Sequence, residues 1–339
     1  MPREKKRIKL ALQGGGALGA FTWGVLDRLL EDERVEIAAI SGASAGAMNA
    51  VVLADGYAEG GAEGARAALR KFWEGVAEAG RASPYRRTPL MALMSAFAPG
   101  WSAAYSAWTD AVTTMVSPYN SNPLNINPLK ELVAELVNFE RVRGCTQMRL
   151  FISATDVETG RIALFENAVL TPDHVMASAC LPTLFQAVEI GGRRYWDGGY
   201  VGNPALFPLF EGDPQDIVLV RLNPLSRPEP PTQAREIVAR LNEITFNASL
   251  MRELHAIAFV GRLLDEGRLE SPRYKKILMH EIADDAALSH FGAGADLNAD
   301  WSFFEELFAL GRARAEAWLK AHWRTVGQRA SVDITRMYL

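Results

Sequence analysis

The sequence predicts an α/β fold with a mostly parallel central sheet. Two observations support this class: short apolar runs alternate with stretches of helical periodicity from the start of the chain, and glycine-rich turns separate the first runs from the helices that follow them. The chain has 339 residues, of which 49% are hydrophobic and 22% are charged. This composition allows a sizeable buried core and excludes intrinsic disorder.

The N-terminal part contains two strand-to-helix steps. Residues 8–12 form an apolar run that is typical of a strand, and residues 17–30 follow with leucines on one helical face. Residues 37–40 predict a second strand, and residues 45–54 open a second helix. A stretch rich in alanine and glycine continues with helical character to about residue 80.

A long uncharged segment follows. Residues 88–109 carry no charge and approach the roughly 20 residues that cross a bilayer. Pro99 and Gly100 interrupt them, which predicts two short apolar helices and not a spanning one. Two interpretations stay open, a buried helix pair or an apolar lid within residues 84–128 over an apolar substrate. The Pro- and Asn-rich residues 117–128 predict a loop.

The rest of the chain adds strands and then helices. Strand signals cover residues 149–154, 162–165, 188–190, 194–196, 217–222 and 276–280. Helical patterns cover residues 129–137 and most of 232–323. We expect one α/β domain over residues 7–222, and a mainly helical C-terminal extension, residues 232–339, that packs on it after the Pro-rich residues 224–231.

Charge and residue counts narrow the function classes. The 36 basic and 40 acidic side chains give a formal net charge of −4, so nothing in the electrostatics favours a nucleic-acid partner. Cys145 and Cys180 are the only cysteines, which argues against a disulfide framework or a multi-cysteine zinc site, and the five histidines lack the close spacing of metal ligands on a helix. We therefore expect no metal, no cofactor, chemistry by Ser, Asp or Glu, and a cytoplasmic protein without a secretory signal.

One serine stands in a setting that activates nucleophiles. Gly42, Ser44 and Gly46 form G-x-S-x-G directly after the second predicted strand and directly before a helix. A nucleophile elbow needs this context, because the serine sits on a sharp turn and the flanking glycines avoid collisions. The alternative is a tight turn with a purely structural role.

The first strand ends in a glycine-rich turn, Gly14 to Gly19, which opens the first helix. Its backbone N–H groups and the positive end of the helix suit an anion, so the turn predicts an oxyanion hole beside Ser44. The same residues satisfy G-x-G-x-x-G, the dinucleotide-binding pattern. That alternative asks for an acidic residue at the end of the second strand, where this chain has Ser41 and Gly42.

A serine hydroxyl needs a base. Asp197 follows Trp196 at the end of a predicted strand and precedes Gly198 and Gly199, which let the backbone turn sharply. Trp196 is expected to lower the local polarity and to raise the basicity of the carboxylate. An aspartate in a surface turn is the alternative. His280, in an apolar run, and His290, in a Gly/Ala-rich loop, are alternative bases that favour a structural role.

Together these motifs resemble the patatin-like phospholipase family. Its signature is a glycine-rich oxyanion loop, a G-x-S-x-G serine and a later Asp-Gly-Gly or Asp-Gly-Ala. A fourth element of the Ala-Ser-x-x-x-Pro type, interpreted as a helix start, occupies residues 177–182. All four occur in the order of the family, and the resemblance covers residues 7–222. It implies a three-layer α/β/α fold with a mostly parallel sheet and extra C-terminal helices.

The resemblance also implies roles. Ser44 would be the nucleophile and Asp197 its base, in a dyad without histidine that forms an acyl-enzyme. Oxyanion donors would be the N–H groups of Gly14, Gly15, Gly16 and Ala45. Leu18 stands where many members carry a basic residue, which leaves backbone donation intact but removes a cation near a phosphate head group.

The implied substrate is a lipid or other acyl ester, met in peripheral contact with a membrane or lipid surface. The sequence leaves two alternatives open. One is a non-catalytic lipid-binding module of the same fold, and the other is a dinucleotide-binding oxidoreductase that uses Gly14 to Gly19. A Ser-His-Asp hydrolase with His280 as its base is a variant of the enzyme hypothesis.

Overall fold

The computed structural model describes residues 5–82, 117–227, 229–270, 274–292 and 294–338. Residues 84–116 of the predicted lid, with all of the uncharged stretch 88–109, lie outside the described residues.

Eight strands of the described chain form one sheet. They are β1 Lys6–Leu12, β2 Val35–Gly42, β3 Arg149–Asp156, β4 Ile162–Glu166, β5 Val188–Ile190, β6 Arg193–Asp197, β7 Asp216–Val220 and β8 Leu278–Ile282. The order across the sheet is β5-β6-β3-β2-β1-β7-β8, and β4 pairs with β3 beside this path. The central strands β3, β2, β1, β7 and β8 are parallel, while β4, β5 and β6 pair antiparallel. The predicted α/β class with a mostly parallel sheet is confirmed.

Helices flank this sheet. They are α1 Gly19–Glu31, α2 Ala45–Ala82, α3 Pro118–Ser121, α4 Pro128–Leu136, α5 Phe139–Gly144, α6 Pro172–Ser178, α7 Ala234–Asp265, α8 Asp285–His290, α9 Trp301–His322 and α10 Ile334–Tyr338. The long α2 is bent at Gly60 and Gly61, whose backbone angles are not helical. Short 3₁₀ turns precede α1, at Gly16–Leu18, and follow β6, at Gly198–Tyr200.

Alternate residues of the strands face two cores. On one face, Leu10 and Leu12 of β1 are buried with apolar side chains of α1, α2 and α9. On the other face, Ala11 is buried with apolar side chains of α7 and α10. Side chains of a strand alternate between its faces, so both surfaces of the sheet are apolar and both are covered. The three layers expected for the fold are present.

The C-terminal part of the chain contributes to all three layers. β8 extends the sheet beside β7, α7 and α10 cover one face, and α9 packs against α1 on the other. The division into a domain over residues 7–222 and an extension over residues 232–339 stays a prediction.

Three local features differ from the sequence-based expectations. A helix is expected to start at residues 177–178, but α6 ends there. It begins at Pro172, in the first helical position, which suits proline. The loop predicted over residues 117–128 contains the short α3, capped by the Ser117 side chain. The six-residue α5 had no predicted counterpart.

Candidate active site

Ser44 stands on a strained turn between β2 and α2. Its φ of 52° is positive, which is uncommon for a residue with a side chain and is typical of a nucleophile elbow. Gly46 allows this turn to pack against β1, since a Cβ there would lie 2.2 Å from the carbonyl oxygen of Leu12. The Ser44 side chain is half-buried, and the helix that begins at Ala45 directs its positive end toward the turn.

The end of α6 holds the elbow in place. The Ser44 N–H donates to two acceptors of Ser178, the carbonyl oxygen at 3.1 Å and the hydroxyl Oγ at 3.0 Å. Ser178 is fully buried. The Ala-Ser-x-x-x-Pro element thus supports the turn from behind, a role that the pattern itself does not reveal.

Strand pairing brings Asp197 to the same place. Gly42, the last residue of β2, pairs with Ile152 of β3, and Asp197 pairs with Ala154, two residues further along. Ala154 also pairs with β4, which takes one edge of β3. β6 must therefore pair along the other edge, where β2 pairs with earlier residues of β3. β6 therefore continues the line of β2 beyond its carboxyl end, where Ser44 lies.

The backbone of Asp197 is fixed on both sides. Its N–H donates to the Cys180 carbonyl at 2.8 Å, and its carbonyl accepts the Thr155 hydroxyl at 2.7 Å. In the side chain, Oδ1 accepts the Gly199 N–H at 2.7 Å. Oδ2 is buried and has no hydrogen-bond partner in the described residues. The Ser44 hydroxyl lies near enough to lower the pKa of this carboxyl group, and catalytic hydrogen bonds often tighten only when substrate binds.

Burial makes this carboxyl group a better base. The Asp197 side chain is 0% exposed, and burial raises its pKa from 3.8 to about 7, while the Gly199 N–H and the Ser44 hydroxyl oppose the rise. Trp196, expected to supply the apolar surroundings, is the next residue of β6 and faces the opposite side of the strand. Tyr200 and Phe246 lie on the Asp197 side instead, the Phe246 ring 3.3 Å from a Cβ built on Gly199.

The glycine-rich turn lies against Ser44. A Cβ built on Gly14 would be 2.7 Å from the Ser44 Cβ. The Gly14 N–H, one of the expected oxyanion donors, donates to Asn203 Oδ1 at 2.7 Å, so it already has an acceptor in this structure. The N–H groups of Gly15, Gly16 and Ala45 have no acceptor among the described residues and can meet a negative charge.

The remaining motif glycines lie where backbone or side chains come close. Gly19 opens α1 beside Ala45, and Gly42 ends β2 against Gly46. Gly198 packs on the Ser153 carbonyl, and Gly199 donates to Asp197. All of them are buried.

The two alternative bases, His280 and His290, have no hydrogen bond to Ser44 or Asp197 among the described residues. The His280 ring contacts Ser331 Oγ through Nδ1 and Asp216 Oδ1 through Nε2, each at 3.0 Å. Asp216 begins β7, at the amino edge of the parallel sheet, whereas Ser44 follows the carboxyl edge. His290 is exposed at the end of α8.

Two further site types were open at the sequence level. Within the described ranges, no cluster of three or more His, Cys, Asp or Glu side chains has the arrangement of a metal site. A dinucleotide site needs an acidic side chain at the end of β2, and that strand ends in Ser41 and Gly42. The Ser41 hydroxyl donates to the Ala205 carbonyl, so it is already paired.

Two comparisons with known proteins found matches. A family model described as Patatin-like phospholipase matches residues 10–210. Among solved structures, the crystal structure of VipD from Legionella pneumophila aligns with a TM-score of 0.45 and 13% sequence identity, over 99% of this chain and 73% of that chain. No curated protein matches the chain.

Proposed function

Because the chain belongs to the patatin-like phospholipase family, we propose that it is a serine esterase that cleaves lipid carboxylic esters through Ser44 and Asp197. Family membership makes it a lipid acyl hydrolase in general terms. The observation that carries the finer proposal is the meeting of Ser44, on a strained elbow, with a fully buried carboxyl group whose pKa lies near 7.

The reaction proceeds in two halves. In the first, Ser44 Oγ attacks the ester carbonyl while Asp197 Oδ2 accepts the hydroxyl proton. The carbonyl oxygen becomes an oxyanion, which the N–H groups of Gly15, Gly16 and Ala45 stabilise together with the positive end of α2. The tetrahedral intermediate then collapses, the proton passes from Asp197 to the departing alcohol, and an acyl group stays on Ser44.

The second half frees the acid. A water molecule attacks the acyl carbonyl as Asp197 takes one of its protons, and the same N–H groups receive the second oxyanion. Collapse returns the proton to Ser44 Oγ and releases the fatty acid. Neither half requires a metal or a redox cofactor. An aspartate of ordinary pKa would be a weak base for this work, which is why its burial matters.

We further propose that the enzyme works in the cytoplasm, in peripheral contact with a membrane or lipid surface. Leu297 supports such contact: it is 63% exposed and adjoins Asp296, whose carbonyl oxygen lies 2.3 Å from a Cβ built on Gly16. An exposed apolar side chain thus lies beside the oxyanion turn. None of the helices in the described ranges is long and apolar enough to span a bilayer.

The test compares Ser44→Ala with Ser302→Ala, the same change at an exposed serine of α9. We expect Ser44→Ala to abolish hydrolysis of p-nitrophenyl butyrate and labelling by a fluorophosphonate, with the circular dichroism spectrum unchanged, and Ser302→Ala to behave as the wild type. A panel of phospholipid, lysophospholipid and glyceride substrates then identifies the ester.

Each failure has a separate meaning. Turnover that survives in Ser44→Ala excludes this serine as the nucleophile. A wild type that neither turns over esters nor reacts with the fluorophosphonate, yet binds vesicles, is the non-catalytic lipid-binding module. Tight NADH binding would revive the oxidoreductase.

A further inference from the structure

Four buried amide side chains lie behind the glycine-rich turn: Gln13, Asn203, Asn223 and Asn247. They come from the end of β1, from the segment after β6, from the segment after β7 and from α7. A buried amide destabilises a protein unless it is hydrogen-bonded, and a hydrogen-bonded cluster of buried amides makes the backbone around it rigid.

Gln13 is the centre of the cluster. Its Oε1 accepts from the N–H groups of Leu222 and Asn223, at 2.9 and 3.0 Å, and from the side chain of Asn223 at 3.1 Å. Its Nε2 donates to the Asn203 carbonyl at 3.2 Å and to Asn247 Oδ1 at 3.0 Å. Gln13 directly precedes Gly14, so these bonds anchor the start of the turn.

The cluster also forms hydrogen bonds with both backbone polar groups of Gly14. The Gly14 N–H donates to Asn203 Oδ1 at 2.7 Å, and the Gly14 carbonyl accepts from Asn223 Nδ2 at 2.9 Å. The donor at Gly14 requires an acceptor, which fixes the orientation of the Asn203 amide. The Gly14 carbonyl shares a planar peptide unit with the Gly15 N–H, so the bond from Asn223 fixes the direction of that N–H, and the Gly16 N–H follows in the next unit.

α7 supplies the fourth amide of the cluster and lies outside the residues that match the family model. Asn247 lies on α7, beyond residue 210, and it is 4% exposed. Its Oδ1 holds Gln13, and its Nδ2 donates to the carbonyls of Asn223 and Pro224 at 3.3 and 3.2 Å. Removal of this side chain takes away one of the two acceptors of Gln13 Nε2 and the donor to the carbonyls of Asn223 and Pro224, in the segment that holds Gly14.

We propose that Asn247 is a positioning residue for the oxyanion hole, acting through Gln13 and Gly14. This role rests on the proposed function, because it presupposes that Gly15 and Gly16 receive the oxyanion. The C-terminal extension then contributes to the catalytic machinery. Donors that are misaligned by a fraction of an ångström stabilise the transition state less while substrate binding changes little.

The experiment compares Asn247→Ala with Asn242→Ala, the same change at an exposed asparagine of α7. For p-nitrophenyl butyrate, we expect Asn247→Ala to lower kcat about 10- to 100-fold, less than the roughly 10²–10³ that follows the loss of a donor itself, with KM within about threefold of the wild type. The rate of fluorophosphonate labelling should fall in parallel, because that reaction also develops an oxyanion. Asn242→Ala should match the wild type in all three quantities.

Assays are run well below the melting temperature of each variant, measured by circular dichroism. If Asn247→Ala does not fold, Asn247→Ser takes its place, since it keeps a polar group and leaves a smaller cavity. A folded variant with wild-type kcat, or with a raised KM alone, overturns the positioning role. Esterase activity that survives Ser44→Ala overturns the proposed function instead, so the two failures are distinguishable.

Discussion

The raised pKa of Asp197 predicts how activity responds to pH. A base must be deprotonated to accept the serine proton, so activity is present above its pKa and is lost as the pH falls through it. With a pKa of about 7, about nine tenths of the enzyme has a charged Asp197 at pH 8 and about one tenth at pH 6. We therefore expect kcat/KM to fall about tenfold between these values. A carboxyl group with the ordinary pKa of 3.8 would leave kcat/KM flat over the same range.

Phe246→Ala tests whether burial is the cause of the raised pKa of Asp197. Burial raises the pKa of Asp197 from 3.8 to about 7, and the Phe246 ring is one of the groups, with Tyr200 and Cys180, that lie near this carboxyl group. Opening this side of the carboxyl group to water should undo part of the rise in its pKa, so the inflection should move to lower pH. At pH 6 the variant should then keep a larger fraction of its high-pH activity than the wild type, which keeps about one tenth.

The assay follows p-nitrophenyl butyrate at the isosbestic wavelength of p-nitrophenol between pH 5 and 9, with circular dichroism at each pH to confirm that the fold is intact. The matched control is Phe259→Ala, on the same helix but 53% exposed, which should leave the inflection in place. A wild-type profile that is flat down to pH 5 would refute the reasoning about Asp197. An equal shift in both phenylalanine variants would refute the role given to Phe246.

Two further predictions concern side chains around the site. Ser178→Ala leaves the Ser44 N–H with the carbonyl acceptor alone, so we expect about 1 kcal/mol less unfolding free energy in urea and a several-fold lower kcat; wild-type values for both would contradict the support given to the elbow. His280→Ala removes both ring contacts of a fully buried side chain and leaves Asp216 without that partner, so we expect the unfolding free energy to fall by about 3 kcal/mol. Below its melting temperature that variant should keep the wild-type kcat, and a selective loss of kcat would instead restore His280 as a candidate base.

Local patterns sufficed for the elbow, because a strand, a G-x-S-x-G turn and a helix follow one another within a few residues. They were not sufficient for Gly14, whose N–H has its acceptor on Asn203, 189 residues later in the chain. The same limit applies to Trp196: its neighbourhood in sequence suggested an apolar wall for Asp197, but strand alternation turns it to the other face and the helix α7 supplies Phe246 instead. Pro172 is a sequence signal for the start of α6, since proline suits the first position of a helix. The Ala-Ser-x-x-x-Pro pattern instead predicts a helix start at residue 177, where α6 in fact ends.

In the proposed dyad without histidine, burial is the source of the basicity of the carboxylate. Imidazole has an unperturbed pKa of about 6.5, near working pH, whereas a solvated aspartate is a far weaker base. In this chain burial raises the pKa of Asp197 to about 7, near the pKa that histidine has without such help. Phe246 of α7 lies beside Gly199, next to the Asp197 carboxyl group, and the same helix provides Asn247 to the amide cluster at the glycine-rich turn. Both properties that the proposed mechanism needs, a basic carboxylate and aligned donors, thus depend on a helix that begins after the family match ends.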